Sequence, residues 1–188
     1  AEDGIRDHCV TGVQTCALPI LPVFSEFTLA CYNKRPLNQP PASLSELLAV
    51  AASGRTVGLS VDASGLWWTA GAMGAQQVMT PIITGQVEAT PTNTAQQRLA
   101  LNTWLNWLRE AALQNRVEIA SGPQELTQGL ESGRLDWIPC FSTTLIRLDR
   151  TMGRHLGVAS LPSGPGGAAS PYSTTRVWSL GKIGRAHV

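Results

Sequence analysis

Few side chains in the chain have the types and spacing that acid–base chemistry requires. Asp62, Asp136 and His155 are the ionisable groups that could do such work in an enzyme. No two of them stand at a spacing typical of a catalytic pair, and no nucleophile pattern lies near His155. An α/β enzyme that uses these three residues is therefore a rival hypothesis, and the leading hypothesis is a protein that binds without catalysis.

The cysteines allow two interpretations. The chain has four, and Cys9 and Cys16 lie in a segment that we exclude below. The remaining two, Cys31 and Cys140, form neither a metal-ligand spacing nor a paired redox motif. They would pair if their strands were neighbours in an oxidising compartment, but two buried free thiols are the expectation. We predict no metal and no cofactor.

Both ends of the chain resemble translated sequencing-adapter DNA. VTGVQTCALPI at 10–20 can be written as one adapter arm, and IGRAHV at 183–188 is what its reverse complement encodes before a stop codon. AEDGIRD resembles the rest of the same primer, with residues 8–9 in place of an index. We predict that 1–20 and 183–188 are adapter-derived and that 21–182 is native. The alternative is a Pro-broken apolar strand and a frayed tail.

The charge balance is close to neutral, at +1 for the whole chain. A nucleic-acid partner would need a clustered basic face, which this composition does not suggest. The sequence has no run of eighteen apolar residues, so we expect no membrane span. About 160 residues are enough to bury the core of one domain.

Strand-like and helix-like segments alternate along residues 21–182. Ser43 and Glu46 have capping-box spacing, and Gly54 is a natural helix stop. A long helix at 94–115 has an apolar face predicted to include Leu105 and Ala112 along with Leu101, Trp104 and Leu108. Strands are expected at 27–33, 56–61, 134–141, 156–162 and 174–180; helices at 43–54, 65–79, 121–133 (capped by Ser121) and 142–153; loops at 81–93 and 164–170. This order favours an α/β fold with a mainly parallel sheet flanked by helices.

Four stretches, taken in order, resemble the solute-binding proteins of ABC importers, in the branch that binds maltose and other sugars. They are LACYNKRPLNQPPASLSELLAVA, GLSVDASGLWWTAGAM, LTQGLESGRLDWIPCFSTTL and LGVASLPSGPGGAASPYSTTRVWSLGK. The resemblance implies a fragment of a two-lobed periplasmic-binding-protein fold of type II. The fragment would be mainly the second lobe, bounded by hinge crossings near Phe27 and Arg176.

The resemblance also implies a function. The protein would bind a sugar or sugar-like osmolyte in a cleft between lobes, perform no chemistry, and deliver the solute to ABC permease subunits. Its location would be periplasmic or, as a lipoprotein, at the cell surface, with the export signal outside the fragment. A ligand-sensing domain with the same fold is the alternative, besides the enzyme hypothesis.

Aromatic side chains are the first candidates for ligand contacts, because sugar rings present apolar faces. Trp67 and Trp68 lie just after a strand–loop junction, where the resemblance implies aromatic contacts. Neighbours on a helix point about 100° apart, so we expect one of the two in the site; the alternative is that both are in the core. Trp104 and Trp107 are expected to pack in the core or at its rim.

The other candidates are polar or lie near the expected hinge. Ser142 and Thr143 follow the strand that ends at Phe141, with helix capping as the alternative for Ser142. Tyr172 and Arg176 belong to the returning segment, where Arg176 could donate forked hydrogen bonds or simply be a surface residue. Asp62 could bind a hydroxyl or serve as a turn residue.

Overall fold

The computed structural model describes residues 20–84 and 95–179. The predicted adapter-derived segments, apart from Ile20, lie outside these residues, as does most of the predicted loop at 81–93. The chain divides into two compact units, one of residues 26–174 and the other of residues 1–25 with 175–188. The first unit contains most of the sheet and its helices, while the described part of the second consists of the outer portions of two strands.

Six strands and six helices make up the described residues, with short 3₁₀ turns at Ser142–Thr144 and Gly153–His155. In chain order they are β1 Ile20–Asn33, α1 Leu44–Ala52, β2 Val57–Ser60, α2 Ala63–Ala72, α3 Gln76–Thr84, α4 Ala95–Leu113, β3 Val117–Ala120, α5 Pro123–Glu131, β4 Trp137–Phe141, α6 Leu145–Met152, β5 Leu156–Ala159 and β6 Ser173–Ser179.

The sheet has the order β3-β2-β4-β1-β5, and β6 also pairs with β1. Strand β2 is parallel to β3 and β4, whereas β1 is antiparallel to both β4 and β5. It follows that β5 runs in the same direction as β2, β3 and β4. The predicted α/β class, with a mainly parallel sheet flanked by helices, is confirmed, and β1 is the antiparallel exception.

Strand β1 separates two layers of core because its side chains alternate between the sheet faces. Ala30 and Tyr32 face the layer formed with α1, α2 and α4. Cys31 faces the layer formed with α5 and α6. Trp137 and Ile138 divide between the same two layers on β4. Burial of each large side chain contributes about 1.5–3 kcal/mol, so both faces of the central strands stabilise the fold.

The expectation of two free thiols is wrong, because Cys31 and Cys140 form a disulfide. In the β1–β4 ladder Cys31 stands opposite Ile138 and Cys140 opposite Leu29. The two cysteines are therefore diagonal neighbours on one face, with Cα atoms 5.7 Å apart, within the range that a disulfide spans. The bridge indicates an oxidising compartment, since disulfides are rare in reducing ones.

Three predicted boundaries also differ from the structure. Strand β1 begins at Ile20 instead of Phe27, so it includes one residue assigned to the adapter-derived segment. The single helix predicted at 65–79 is two helices, because Gly74 takes a φ of +75°, which breaks the helix. Helix α3 then continues through Pro81 to Thr84, where a loop was expected.

The apolar face of α4 is rotated from the predicted one. Trp104, Trp107 and Ala111 are buried, whereas Leu105 is 48% exposed and the predicted Ala112 is exposed as well. Steps of three and four residues connect the three buried positions, which form one stripe facing β3, α2 and α3. The indole N–H of Trp104 donates to the Thr69 hydroxyl at 3.0 Å. Trp104 and Trp107 are therefore core residues, as predicted.

The disulfide predicts a change of stability on removal. In a C9S/C16S background, Cys31→Ala with Cys140→Ala should lower the free energy of unfolding by about 2–4 kcal/mol, because the crosslink restricts the unfolded chain. Urea denaturation monitored by circular dichroism measures the difference. Non-reducing tryptic mapping of the background protein should join peptide 7–34 to peptide 135–147. Two free thiols in the unreduced, denatured background protein would contradict the bridge.

Candidate functional site

The parallel strands β2, β3 and β4 end at one edge of the sheet. The segments that follow them, 61–67, 121–124 and 142–144, therefore lie together there. We call this the carboxyl edge. Ligands of open α/β sheets bind outside the carboxyl ends of the strands, so this edge is the expected position of a ligand site.

Asp62 is the first polar residue after β2, and it caps α2. Its carboxylate accepts hydrogen bonds from the N–H of Gly65 at 3.2 Å and from the hydroxyl of Ser64 at 2.7 Å. Partial burial acts to raise the pKa of Asp62, but hydrogen bonds from Ser60, Ser64 and the Gly65 N–H outweigh it and hold that pKa below its usual value. Asp62 is therefore an ionised helix cap.

The two tryptophans after β2 have different environments. Trp68 is 1% exposed and packs against Trp137, with ring centroids 6.2 Å apart. This position leaves no surface for a ligand, so the prediction that includes Trp68 in the site is corrected. Trp67 is half-buried on the first turns of α2. It retains exposed ring surface next to the carboxyl edge, and it stays a candidate contact.

The segment after β4 is tied to β1. The Ser142 hydroxyl oxygen accepts a hydrogen bond from the backbone N–H of Phe27 at 3.2 Å, and the hydroxyl of Thr143 donates to the carboxylate of Glu26. Neither the 3₁₀ turn nor α6 has a side-chain cap, so Ser142 is not a helix cap. Because the bond to Phe27 uses an oxygen lone pair, the Ser142 O–H proton is left for another acceptor.

Tyr172 lies on the other side of β1 from this segment. Its N–H donates to the Thr28 hydroxyl at 2.9 Å, and its carbonyl accepts the Thr28 N–H at 3.0 Å. Thr28 is in turn the register partner of Phe141. The structure thus brings the backbones of Tyr172, Thr28 and Phe141 side by side, half-burying the predicted candidate Tyr172 beside β1.

Two adjoining surface cavities at the start of α5 add residues that the sequence did not single out. One, of about 290 Å³, is lined by Glu26, Pro123, Gln124, Thr127, Phe141, Thr144 and Arg147. The other, of about 370 Å³, is lined by Ser121, Gly122, Pro123, Gln124, Glu125 and Gln128. Gln124 is exposed and common to both. The only sequence signal among them was the position of residues 121–124 and Thr144 in the segments that follow β3 and β4.

The charged and capping groups around these cavities already form hydrogen bonds within the protein. Arg147 donates two hydrogen bonds to Glu131, at 2.7 and 2.5 Å, and this partner raises the pKa of the guanidinium. Glu125 accepts from the N–H and hydroxyl of Ser121. The N-cap of α5 is Gly122, so the predicted capping role of Ser121 is wrong.

Arg176 lies on β6, in the second compact unit, where it is exposed. Within that unit the hydroxyls of Ser25 and Thr175 are 3.1 Å apart, and Phe24 and Trp178 are among the large exposed apolar side chains. The role of Arg176 as a ligand contact stays a prediction.

The three residues of the enzyme hypothesis are not brought together. Asp62 follows β2, while Asp136 directly precedes β4 and His155 directly precedes β5. Because these strands run the same way, Asp62 lies at the opposite edge of the sheet from the other two. Asp136 accepts the Thr56 N–H at 2.9 Å and so has a structural role.

Within 20–84 and 95–179, no group of three or more His, Cys, Asp or Glu side chains is placed to hold a metal ion. In the same part of the chain, the helices are too short or too polar to cross a membrane.

Comparisons with known proteins show the fold. No family model matches the sequence, and no curated protein matches it. Among solved structures, the chain is similar to the GacH receptor of Streptomyces glaucescens, described unliganded and in complex with acarbose and an acarbose homolog. The TM-score is 0.61 at 15% identity, over 82% of this chain and 42% of that one. The chain thus has a fold similar to part of that structure and spans less than half of its length.

The cap of α2 predicts a moderate loss of stability on truncation. Asp62→Ala should lower the free energy of unfolding at pH 7 by about 1 kcal/mol, because two α2 hydrogen bonds are lost. The pKa of Asp62 is lowered in the folded state, so this contribution is complete above the unfolded pKa and lost as pH falls through the folded one. Chemical denaturation between pH 2 and 7 measures this, and a difference that does not decrease as the pH falls toward 2 would contradict the cap.

Proposed function

We propose that the chain is part of a solute-binding receptor, and that the carboxyl edge of its sheet contacts a sugar or sugar-like solute. The observation that carries the proposal is the β3-β2-β4-β1-β5 sheet with one antiparallel strand, an arrangement similar to a sugar receptor over most of the chain. A site at the carboxyl edge agrees with the general position of ligands in open α/β sheets.

The chemistry of this edge suits a neutral polyol. Trp67, Phe27 and Phe141 offer partly exposed aromatic surface on which the C–H face of a sugar ring can lie. The O–H of Ser142 and the amide of Gln124 offer hydrogen bonds to hydroxyls. Nearby charges are mostly balanced within the protein by Arg147 with Glu131 and by the α2 cap, which disfavours a highly charged ligand.

Capture would follow closure of two lobes about hinge strands. The boundaries between the compact units fall at 25/26 in β1 and at 174/175 in β6, close to the hinge crossings predicted near Phe27 and Arg176. A few strand residues that absorb a change of backbone angle are sufficient for a hinge. The closed state would be favoured by the contacts that a solute makes to both lobes.

The partners in this proposal are the solute, a second lobe and the permease subunits of an ABC importer. The Cys31–Cys140 disulfide supports a location outside the reducing cytoplasm, whether periplasmic or at the cell surface. No covalent chemistry is required of the chain in this role.

The proposal predicts that Trp67 reports solute binding. Titration of the purified chain with acarbose, maltose and other oligosaccharides should give a saturable change in tryptophan fluorescence. Because one lobe supplies only part of the contacts, we expect a Kd of about 1 mM or weaker, which corresponds to a binding free energy of about 4 kcal/mol or less. Trp67→Phe should remove most of the change, whereas Trp178→Phe, at an exposed position on β6, should leave it intact. Loss of the response in the Trp178 variant alone would contradict the assignment.

A second prediction concerns the hydroxyl of Ser142. Ser142→Ala should weaken sugar binding about fivefold, because a hydrogen bond contributes about 1 kcal/mol. Ser132→Ala is the matched control, since this hydroxyl bonds to Gly129 at the far end of α5. Isothermal titration calorimetry compares the two variants. Equal affinities in both would show that Ser142 serves only its bond to β1.

A further inference from the structure

Four basic residues lie at the edge of the sheet opposite the candidate site. Lys34 and Arg35 directly follow β1, and Arg154 and His155 directly precede β5. The two strands are antiparallel, and just past their paired residues the N–H of Lys34 donates to the carbonyl of His155 at 2.8 Å. Residues 34–36 form a turn and Gly153–His155 a 3₁₀ turn, so this bond holds together the two turns that contain Arg35 and Arg154.

This arrangement is unfavourable without a counter-charge. Like charges held close together repel each other, and the repulsion is stronger where they are partly removed from water. The ion pairs among the described residues are Arg134 with Glu118 and Arg147 with Glu131, and they include none of the four. The carbonyl end of α6, just before Arg154, offsets only part of the positive charge.

The lowered pKa of His155 agrees with a positive potential that nearby acidic groups do not compensate. Its pKa is lowered by desolvation of the ring and by repulsion from Arg35 and Arg154. No carboxylate acts on the ring strongly enough to reverse that direction. Glu131 is the nearest acidic candidate, since it lines the same cavity, but both of its oxygens accept hydrogen bonds from Arg147.

A cavity of about 230 Å³ opens beside these turns. Arg35 and His155 line it, together with the neutral polar residues Asn33, Thr151 and Ser132. A guanidinium donates paired hydrogen bonds that match a phosphate or a carboxylate. The cavity is large enough for a tetrahedral oxyanion, and Arg35 and His155 can supply hydrogen-bond donors to it.

We propose that this cavity binds a phosphate-type dianion, held by Arg35 and His155, with Arg154 adding positive charge beside it. The phosphate is either free or the terminal group of an anionic lipid. Two guanidinium groups and an imidazole that can be protonated match a doubly charged anion better than they match a single carboxylate. The site is independent of sugar binding, since it lies at the other edge of the sheet and shares no residue with the candidate site.

Inorganic phosphate tests the proposal directly. The His155 ring signals are assigned in proton NMR spectra by their absence in His155→Asn. Phosphate should then raise the pKa of His155 saturably, by about half a unit or more, relative to chloride at equal ionic strength. In Arg35→Gln with Arg154→Gln, the phosphate-free pKa should be higher and the phosphate affinity at least about tenfold weaker. Arg98→Gln, an exposed cation on α4, should behave as the unchanged chain does.

The source of the phosphate is distinguished with vesicles. Co-sedimentation with phosphatidylcholine vesicles containing phosphatidic acid, abolished in Arg35→Gln with Arg154→Gln but not in Arg98→Gln, would assign the site to a lipid headgroup. A saturable effect of inorganic phosphate without co-sedimentation would assign it to a free anion. The proposal is overturned if phosphate and chloride act alike on His155 and the vesicles bind no better than pure phosphatidylcholine.

Discussion

The antiparallel insertion of β1 between β4 and β5 is the constraint on which the rest of the structure depends. Cys31 and Cys140 join β1 to β4 across a sequence separation of 109 residues. A disulfide that closes such a loop typically stabilises the folded state by about 2–4 kcal/mol. This is comparable to a sizeable part of the stability of a typical domain, so the bridge and the ladder beside it determine which side chains meet at each end of the sheet.

The same ladder creates two edges with different chemistry. At the carboxyl edge, Ser142 bonds to the backbone of Phe27, and Tyr172 bonds to Thr28 on the other side of β1. As a result, aromatic side chains and hydroxyl groups lie together at this edge. At the opposite edge, the hydrogen bond from Lys34 to His155 holds together the turns that contain Arg35 and Arg154. The positive charge at this edge is therefore only partly neutralised. The two edges are suited to ligands of different kinds.

Local patterns predicted much of the fold. The Ser43 cap of the predicted capping box is confirmed, with the Glu46 N–H 3.2 Å from the Ser43 hydroxyl, whereas the Glu46 carboxylate accepts the N–H of Ala42 instead of that of Ser43. The helix it begins ends at Ala52, and Gly54 follows with a φ of +95°. Such features depend on residues within a few positions of one another, so a sequence pattern is sufficient to find them.

Features that depend on distant pairing were missed or misread. The disulfide requires β1 and β4 to be neighbours, which no local pattern indicates, and free thiols were expected instead. Trp68 is a core residue because Trp137, on the distant strand β4, packs against it. The basic cluster was hidden because its two halves, at 34–35 and 154–155, are separated by most of the chain, so a nearly balanced composition gave no sign of it.

The central claim is that the carboxyl edge of this sheet binds a sugar, and amide-resolved NMR tests it most directly. Titration of the ¹⁵N-labelled chain with acarbose or maltose should shift the amide signals of residues 61–67, 121–124 and 141–144 saturably and with one common affinity. Signals of β5 and of the basic cluster should stay in place. Shifts confined to other parts of the chain, or none with any sugar tested while the spectrum remains that of a folded protein, would contradict the account.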